Sequence, residues 1–221
     1  YRFNSKNYKR KYTEINIKKK QKIHIGYFSA DFCAHPVMYL ISRILQLHDK
    51  KRFKLFIFSF ASKEDIYTEK LKEKVSTFRN IYSKSDLEIV QIARADEIDI
   101  AIDLMGYSQN NRMNIFSYRV APIQINYLGY PSTTGSSKID YLIADRIVIP
   151  ERFKKYYSEK IVYMPNCYMP YDNNKKNTKK EYSRSELGLP NDAFILAAFH
   201  KNYKITKQEI IIWSRIIAKI P

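Results

Sequence analysis

Cysteine, glycine and proline are scarce in this sequence of 221 residues. Its two cysteines, Cys33 and Cys167, are too few for a disulfide framework and lack metal-site spacing, so a reducing, cytoplasmic environment is expected. Five glycines and eight prolines exclude collagen-like and low-complexity chains. No apolar run approaches the roughly 18 residues of a membrane span, and no apolar stretch follows the basic N-terminus as in a secretory signal.

Acidic residues are also few. The chain has 22 Asp and Glu against 39 Lys and Arg, so its formal net charge is +17. Such a charge favours anionic partners without choosing among nucleic acid, acidic lipid and nucleotide phosphates. The segment KRKYTEINIKKKQK interleaves cations with tyrosine, so a basic nucleic-acid-binding α/β module is the alternative interpretation. Lysine recurs along the whole chain, however, and no nucleic-acid motif is present.

Strand-like and helix-like segments alternate through most of the chain. The 45% of hydrophobic residues is enough for a packed core. Apolar runs predict strands over 22–29, 52–60, 77–82, 97–104, 123–128 and 139–144. Helical patterns fall between them, over 37–47, 65–75, 85–94 and 111–118. This alternation predicts an α/β fold with a parallel, doubly wound sheet.

A second, shorter region follows a change of composition. Residues 167–180 are polar, basic and non-periodic, which is typical of a linker. After it come a capping box at Ser183, a continuous apolar run over 193–199 that predicts a buried strand, and a helix capped by Thr206. We divide the chain into a basic lead-in, 1–21, a first domain, 22–180, and the start of a second, 181–221. The missing initiator Met and the helical pattern at the end indicate a fragment of a longer protein.

The loop after the first predicted strand, 29–36, carries Asp31 and His35. In open α/β sheets, ligands bind outside the carboxyl ends of the strands. A histidine there is a natural general base or acid. The simpler interpretation is that Asp31 caps the next helix and that His35 is structural.

Three further strand exits could bind a ligand. In 104–112, Gly106 permits close approach while Ser108 and Asn110 can hydrogen-bond a sugar, although an ordinary turn would look the same. The loop 128–135, LGYPSTTG, has two glycines and three hydroxyls but no phosphate-loop signature. In 199–205, Lys201 and Lys204 suit a phosphate or diphosphate, although lysine is common throughout.

Taken together, these loops and their order carry a family resemblance. The stretches IGYFSADFCAHPV, IDIAIDLMGYSQNNR, APIQINYLGYPSTTG, YSEKIVYMP and AAFHKNYKIT resemble the catalytic region of the O-GlcNAc transferase and SPINDLY family, glycosyltransferase family 41, in its bacterial form. The resemblance implies the two-lobed GT-B architecture with a Rossmann-like N-terminal lobe over 22–180. It also implies that 181–221 holds only the first strand and helix of the C-terminal, nucleotide-sugar-binding lobe, and that TPR repeats precede the lobes in the parent chain.

The resemblance assigns catalytic positions residue by residue. His35, in DFCAHP, matches a family histidine that acts as a base or positions the acceptor. Lys204 matches the lysine that stabilises the departing diphosphate, and Tyr203 beside it matches an active-site tyrosine. Asp96 matches an aspartate ahead of the IDIAIDL strand and is a weaker candidate for proton handling.

The resemblance also assigns substrate-binding positions. Ser108, Leu128 and Gly129 match positions that line the sugar pocket. Lys201 lies near the donor, where relatives usually carry Gln or Asn, and Ser132 stands where the family often has glycine. The implied reaction is an inverting, metal-independent transfer of a sugar, GlcNAc first, from a UDP-sugar to Ser or Thr hydroxyls of proteins, with no cofactor beyond the donor. Because most of the donor site lies outside it, the fragment alone is expected to be inactive.

Overall fold

A computed structural model describes residues 19–173 and 181–220 of the chain. Its internal contacts divide the chain into two units, residues 1–174 and 175–221, and each is described here by itself. The predicted domain boundary after residue 180 adjoins residues 174–180, which lie outside the described residues, so that boundary stays a prediction. The basic lead-in lies mostly outside them as well.

The first unit is a parallel sheet with helices between its strands. The strands are β1 Ile23–Ser29, β2 Phe53–Ser59, β3 Thr77–Asn80, β4 Ile100–Asp103, β5 Ile123–Asn126, β6 Tyr141–Ala144 and β7 Lys160–Tyr163. The helices are α1 Pro36–Leu47, α2 Ile66–Lys72, α3 Asp86–Ala95 and α4 Asn114–Ser117, and a 3₁₀ helix spans Glu151–Tyr156. The sheet order is β3-β2-β1-β4-β5-β6-β7, with every neighbouring pair parallel. The predicted doubly wound α/β fold is confirmed, whereas β7 and the 3₁₀ helix were not predicted.

The central strands are apolar on both faces because helices cover both faces of the sheet. In β1, Tyr27 packs into a core shared with α1 and α2, which includes Ile41 and Leu71. The next residue, Phe28, points to the opposite core beside α3 and α4 and stacks on Phe58 with ring centroids 4.4 Å apart. Successive strand residues therefore pack into two separate cores. Because both sets of side chains are apolar, the sequence of each strand is a continuous apolar run.

Local capping signals set where the helices begin. Pro36 occupies the first turn of α1, where a proline costs no hydrogen bond. Ser85 and Glu88 form the predicted capping box at the start of α3, and Asp65 caps α2. Because β1, β2 and β3 are parallel, the loops that end at these caps all leave the sheet on the same side.

The strand order reverses between β1 and β4, which are neighbours in the sheet although three strands apart in the chain. The loop leaving β1 therefore leads to one face, and the loop leaving β4 leads to the other. The crevice between two such loops is where doubly wound sheets bind their ligands. The fold thus predicts the site at the carboxyl ends of β1 and β4.

The second unit contains α5, Lys207–Ile217, which Thr206 caps as predicted; Thr206 and Glu209 also form a capping box there. The predicted strand at 193–199 is wrong, because these residues are exposed and form no strand. A strand needs a neighbour to satisfy its backbone groups, and among residues 181–220 no other strand is present. Ser183 does hydrogen-bond Glu186 as a capping box would, but only turns follow it.

Candidate active site at the carboxyl edge of the sheet

Four adjacent strands of the sheet end in a polar residue that is buried. These residues are Ser59 of β2, Ser29 of β1, Asp103 of β4 and Asn126 of β5, each at most 1% exposed. Three of these side chains accept a hydrogen bond from the backbone N–H two residues further on, in the exit loop. The distances are 2.9 Å from Asp31 N to Ser29 Oγ, 3.4 Å from Ala61 N to Ser59 Oγ and 2.9 Å from Met105 N to Asp103 Oδ1. We call the side of the sheet that these four residues define the carboxyl edge.

His35 lies at the carboxyl edge, in the loop between β1 and α1. It is the N-cap of α1, and its Nδ1 lies 3.3 Å from the backbone N–H of Val37. The same Nδ1 lies 3.3 Å from Oδ2 of Asp31. Burial raises the pKa of Asp31, and the charge of His35 opposes that rise. The expectation that Asp31 caps α1 is wrong, since His35 occupies the N-cap position of the helix.

Asp103 anchors the loop that leaves β4, and sequence reasoning missed it. Its Oδ2 accepts from Gly106 N at 2.8 Å and from Asn126 Nδ2 at 2.9 Å. Burial raises its pKa to about 6, and these bonds and that from Met105 oppose the rise. A polar residue that ends an apolar run, as in IAID, is the signal that could have identified it.

The exit loops of β4 and β5 pack closely against each other at two glycines. A Cβ atom on Gly129 would lie 1.9 Å from the carbonyl oxygen of Leu104. Gly106 has φ +51°, and a Cβ there would lie 2.3 Å from Cβ of Tyr130. Neither position therefore accepts a larger residue without moving the opposite loop. The predicted sugar-pocket residue Gly129 is thus where two loop backbones meet.

Ser108 and Leu128 lie on these two closely packed loops. Leu128 is buried and has φ +73°, a left-handed conformation that is strained for a leucine. Ser108 is half-buried, and within the described part of the chain its hydroxyl forms no hydrogen bond. The structure therefore brings His35, Ser108, Leu128 and Gly129 to the carboxyl edge.

Known proteins share this arrangement of sequence and fold. The profile of glycosyl transferase family 41 matches residues 4–179. A probable UDP-N-acetylglucosamine–peptide N-acetylglucosaminyltransferase SEC of Arabidopsis thaliana is 33% identical over 207 residues, 91% of this chain and 21% of the relative. The corresponding transferase of Caenorhabditis elegans is 33% identical over 160 residues, 70% of this chain and 14% of the relative. A solved structure of a variant O-GlcNAc transferase of Thermobaculum terrenum aligns with TM-score 0.66 and 29% identity, covering 68% of this chain and 29% of that one.

This chain belongs to glycosyltransferase family 41. It spans about a fifth of the length of the Arabidopsis relatives that it matches. The family resemblance predicted from the loop motifs is therefore confirmed. The seven-stranded sheet is the part of the family 41 fold that the first unit contains.

The second half of the β5 exit loop in this family 41 chain does not face the carboxyl edge. Thr133 Oγ1 donates to Glu159 at 2.6 Å, the N–H of Thr134 donates to it at 2.7 Å, and the Thr134 hydroxyl also binds it. Burial raises the pKa of Glu159, but the bonds from Thr133 and Thr134 outweigh it and lower that pKa overall. Glu159 directly precedes β7, so the hydroxyls of Thr133 and Thr134 tie this loop to the start of that strand.

Asp96 lies at the opposite side of the sheet, the amino edge, where the strands begin. It follows α3, and its carboxylate accepts two hydrogen bonds from Arg79, at 2.7 and 3.1 Å. Its carbonyl oxygen lies 2.9 Å from Nδ1 of His24, at the start of β1. The first unit therefore does not bring Asp96 together with His35, and its proton-handling role stays a prediction.

The remaining predicted residues of this family 41 chain belong to the second unit. Lys204 and Tyr203 lie on a 3₁₀ helix, Asn202–Lys204, which Lys201 precedes. All three side chains are exposed, and Lys204 N donates to the carbonyl oxygen of Lys201 at 2.9 Å. Their roles at the diphosphate and the donor stay predictions. Among the described residues, no helix combines the length and apolar character needed to cross a bilayer.

Proposed function

We propose that the protein containing this chain is an inverting glycosyltransferase that moves a sugar, GlcNAc in the first instance, from a UDP-sugar to Ser or Thr hydroxyls of proteins. The observation that carries the proposal is the switch point in the strand order of a family 41 sheet, with His35 on one exit loop and Ser108 on the other. The names of the Arabidopsis relative, a probable UDP-N-acetylglucosamine–peptide N-acetylglucosaminyltransferase, and of the Caenorhabditis transferase support it.

The chemistry divides between the two units. In the first, His35 orients or deprotonates the acceptor hydroxyl, while Ser108, Leu128 and Gly129 shape the sugar pocket. In the second, the Lys204 ammonium stabilises the charge that develops on the departing diphosphate, with Tyr203 and Lys201 beside it. We propose that this charge stabilisation works without a metal or other cofactor. Positioning of donor and acceptor would supply most of the remaining acceleration.

The rest of the parent protein completes the proposal. We propose that TPR repeats upstream select the acceptor proteins, that the parent works in the cytoplasm, and that the 221-residue chain alone does not turn over. The short coverage of the relatives supports the last point, because the chain corresponds to only about a fifth of their length.

The test is transfer of radiolabel from UDP-GlcNAc to protein by the full-length parent. Lys204→Ala should lower kcat by about a hundredfold or more, because one fixed charge at the leaving group is removed. Lys219→Ala is the matched control, since Lys219 is an exposed lysine just beyond the C-terminal end of α5, and it should retain full turnover. Unchanged turnover in Lys204→Ala would contradict the role of the lysine. No label from UDP-GlcNAc, GDP-fucose or UDP-glucose would contradict the proposed function.

A further inference from the structure

One ring nitrogen of His35 has two competing partners. Nδ1 lies 3.3 Å from the Val37 N–H, which can only donate, and 3.3 Å from Oδ2 of Asp31, which as a carboxylate can only accept. A neutral imidazole carries a single N–H, so Nδ1 cannot satisfy both partners at once. The choice between them decides which ring nitrogen holds the proton.

The two choices give opposite chemistry at Nε2. If Nδ1 accepts from Val37, Nε2 carries the proton and cannot act as a base. If Nδ1–H donates to Asp31, Nε2 keeps its lone pair. Among the described residues Nε2 forms no hydrogen bond, and the side chain of His35 is 43% exposed, so this nitrogen is available to a substrate.

Several features of the loop favour the second choice. The side chain of Asp31 is only 19% exposed, and His35 is its one side-chain partner among the described residues. Other groups near this pair are Cys33 and Asp65, and both also face Tyr39. None of them offers a cation to neutralise Asp31. A half-buried carboxylate beside a bare Nδ1 lone pair would be repelled, whereas beside Nδ1–H it gains a charge-assisted hydrogen bond.

We propose that Asp31 is a positioning residue that holds His35 with its proton on Nδ1 and so leaves Nε2 as the proton acceptor. This inference rests on the proposed transfer to a hydroxyl. In that step the acceptor oxygen bonds to the anomeric carbon as the bond from that carbon to the diphosphate oxygen breaks. The diphosphate leaves with the electron pair, and the hydroxyl proton moves to Nε2 of His35. The imidazolium that forms keeps its Nδ1–H on the Asp31 carboxylate.

The first test reads the tautomer of His35 directly and needs no activity. Long-range ¹H–¹⁵N NMR of the histidine-labelled chain, recorded at pH 8 to favour the carboxylate, distinguishes protonated from bare ring nitrogens. His24 and His48 are internal standards, because their Nδ1 atoms lie 2.9 and 2.8 Å from carbonyl oxygens, which require Nδ1–H. His35 should show the same pattern as these two. A proton on Nε2 of His35 in the unaltered chain would overturn the proposal without any variant.

The second test removes the carboxylate. In Asp31→Ala the Val37 N–H becomes the remaining partner of Nδ1, so the His35 proton should move to Nε2 while the His24 and His48 signals stay unchanged. Asp192→Ala, which removes an exposed carboxylate from the second unit, should leave all three unchanged. Retention of Nδ1–H on His35 in Asp31→Ala, with the two standards intact, would overturn the proposal.

In the full-length parent, Asp31→Ala should lower kcat about tenfold or more with KM for the UDP-sugar unchanged, because the base and not donor binding is affected. Unchanged kcat would overturn the role of Asp31 in the reaction. If the unaltered parent transfers no sugar, the proposed function fails, and the tautomer measurement on the chain still decides the placement of the proton.

Discussion

The two edges of the sheet are built by different means. At the carboxyl edge, buried polar residues such as Asp103 hold loops whose backbones touch at Gly129 and take left-handed conformations at Leu128. At the amino edge, partly exposed ion pairs join the segments, as between Arg79 and Asp96. Burial and backbone geometry tolerate little change, whereas a charge pair with one exposed partner is partly screened by water and salt. The comparison implies that substitutions at the carboxyl edge, which carries the site, lower the free energy of unfolding more than substitutions at the amino edge.

The largest expected effect is at the contact between the two exit loops. Gly129→Ala would place a Cβ atom 1.9 Å from the Leu104 carbonyl oxygen, and a backbone atom cannot swing aside as a side chain can. We expect the free energy of unfolding to fall by about 3 kcal/mol or more. Urea unfolding followed by far-UV circular dichroism measures it, since the sheet and helices of the first unit dominate that signal.

Gly135→Ala is the matched control for this change. Gly135 lies in the same β5 exit loop, six residues after Gly129, which contacts the exit loop of β4. A Cβ atom on Gly135 would have no neighbour within 4 Å. Its φ of +61° still disfavours alanine, so a loss of only about 1 kcal/mol is expected. Equal losses at the two glycines would show that loop contact does not make the carboxyl edge fragile.

The next effect is the pH dependence that Asp103 imposes on stability. Its pKa is about 6 in the folded chain, above the ordinary value of about 3.9 in an unfolded one. The folded state therefore holds this proton more tightly, so the stability it contributes is complete below about pH 4 and is lost as the pH rises through 6. The loss is on the order of 3 kcal/mol, because each tenfold difference in proton affinity between the two states corresponds to about 1.4 kcal/mol.

Asp103→Asn removes that titration. The variant should be less stable than the unaltered chain by about 1–3 kcal/mol at pH 4.5, because an amide cannot accept all three hydrogen bonds, and the deficit should shrink at pH 7. Urea unfolding at both pH values measures the difference. Asp192→Asn, at an exposed carboxyl, is the control and should not change the pH dependence. A deficit that stays constant between the two pH values would contradict a raised pKa at Asp103.

Periodicity and capping signals sufficed to predict most of the first unit. Strands such as β1 and β2 read as apolar runs because both faces are buried, and the box at Ser85 marks the start of α3. β7 was missed because its run, KIVY, is short and none of its four residues is fully buried. The same kind of run at 193–199 predicted a strand that does not form, since an apolar pattern indicates burial only where a neighbouring strand is present.

The sequence predicted which loops form the site, but not the hydrogen-bond contacts within them. The motifs identified the exits of β1, β4 and β5, because ligands bind at the carboxyl ends of parallel strands. No spacing in the sequence could show that Nδ1 of His35 meets both Asp31 and Val37, since these distances depend on how the loop folds. Nor could it show that Asp96 lies at the amino edge, because the turn after α3 decides that position.

The smallest effect is expected at the amino edge. Asp96→Asn keeps the shape of the side chain and removes the charge that faces Arg79; the Asp96 side chain is 12% exposed and the Arg79 side chain 44%. We expect a loss of about 1 kcal/mol that shrinks in 1 M salt, because water and salt screen the guanidinium side of the pair. A double-mutant cycle with Arg79→Gln, measured by urea unfolding, isolates the pair. A loss as large as that of Gly129→Ala would reverse the ranking of the two edges. Measured in the full-length parent, the same variant also tests Asp96 in proton handling: a fall in kcat with stability preserved would mean that an amino-edge carboxylate reaches the chemistry, against its position in the sheet.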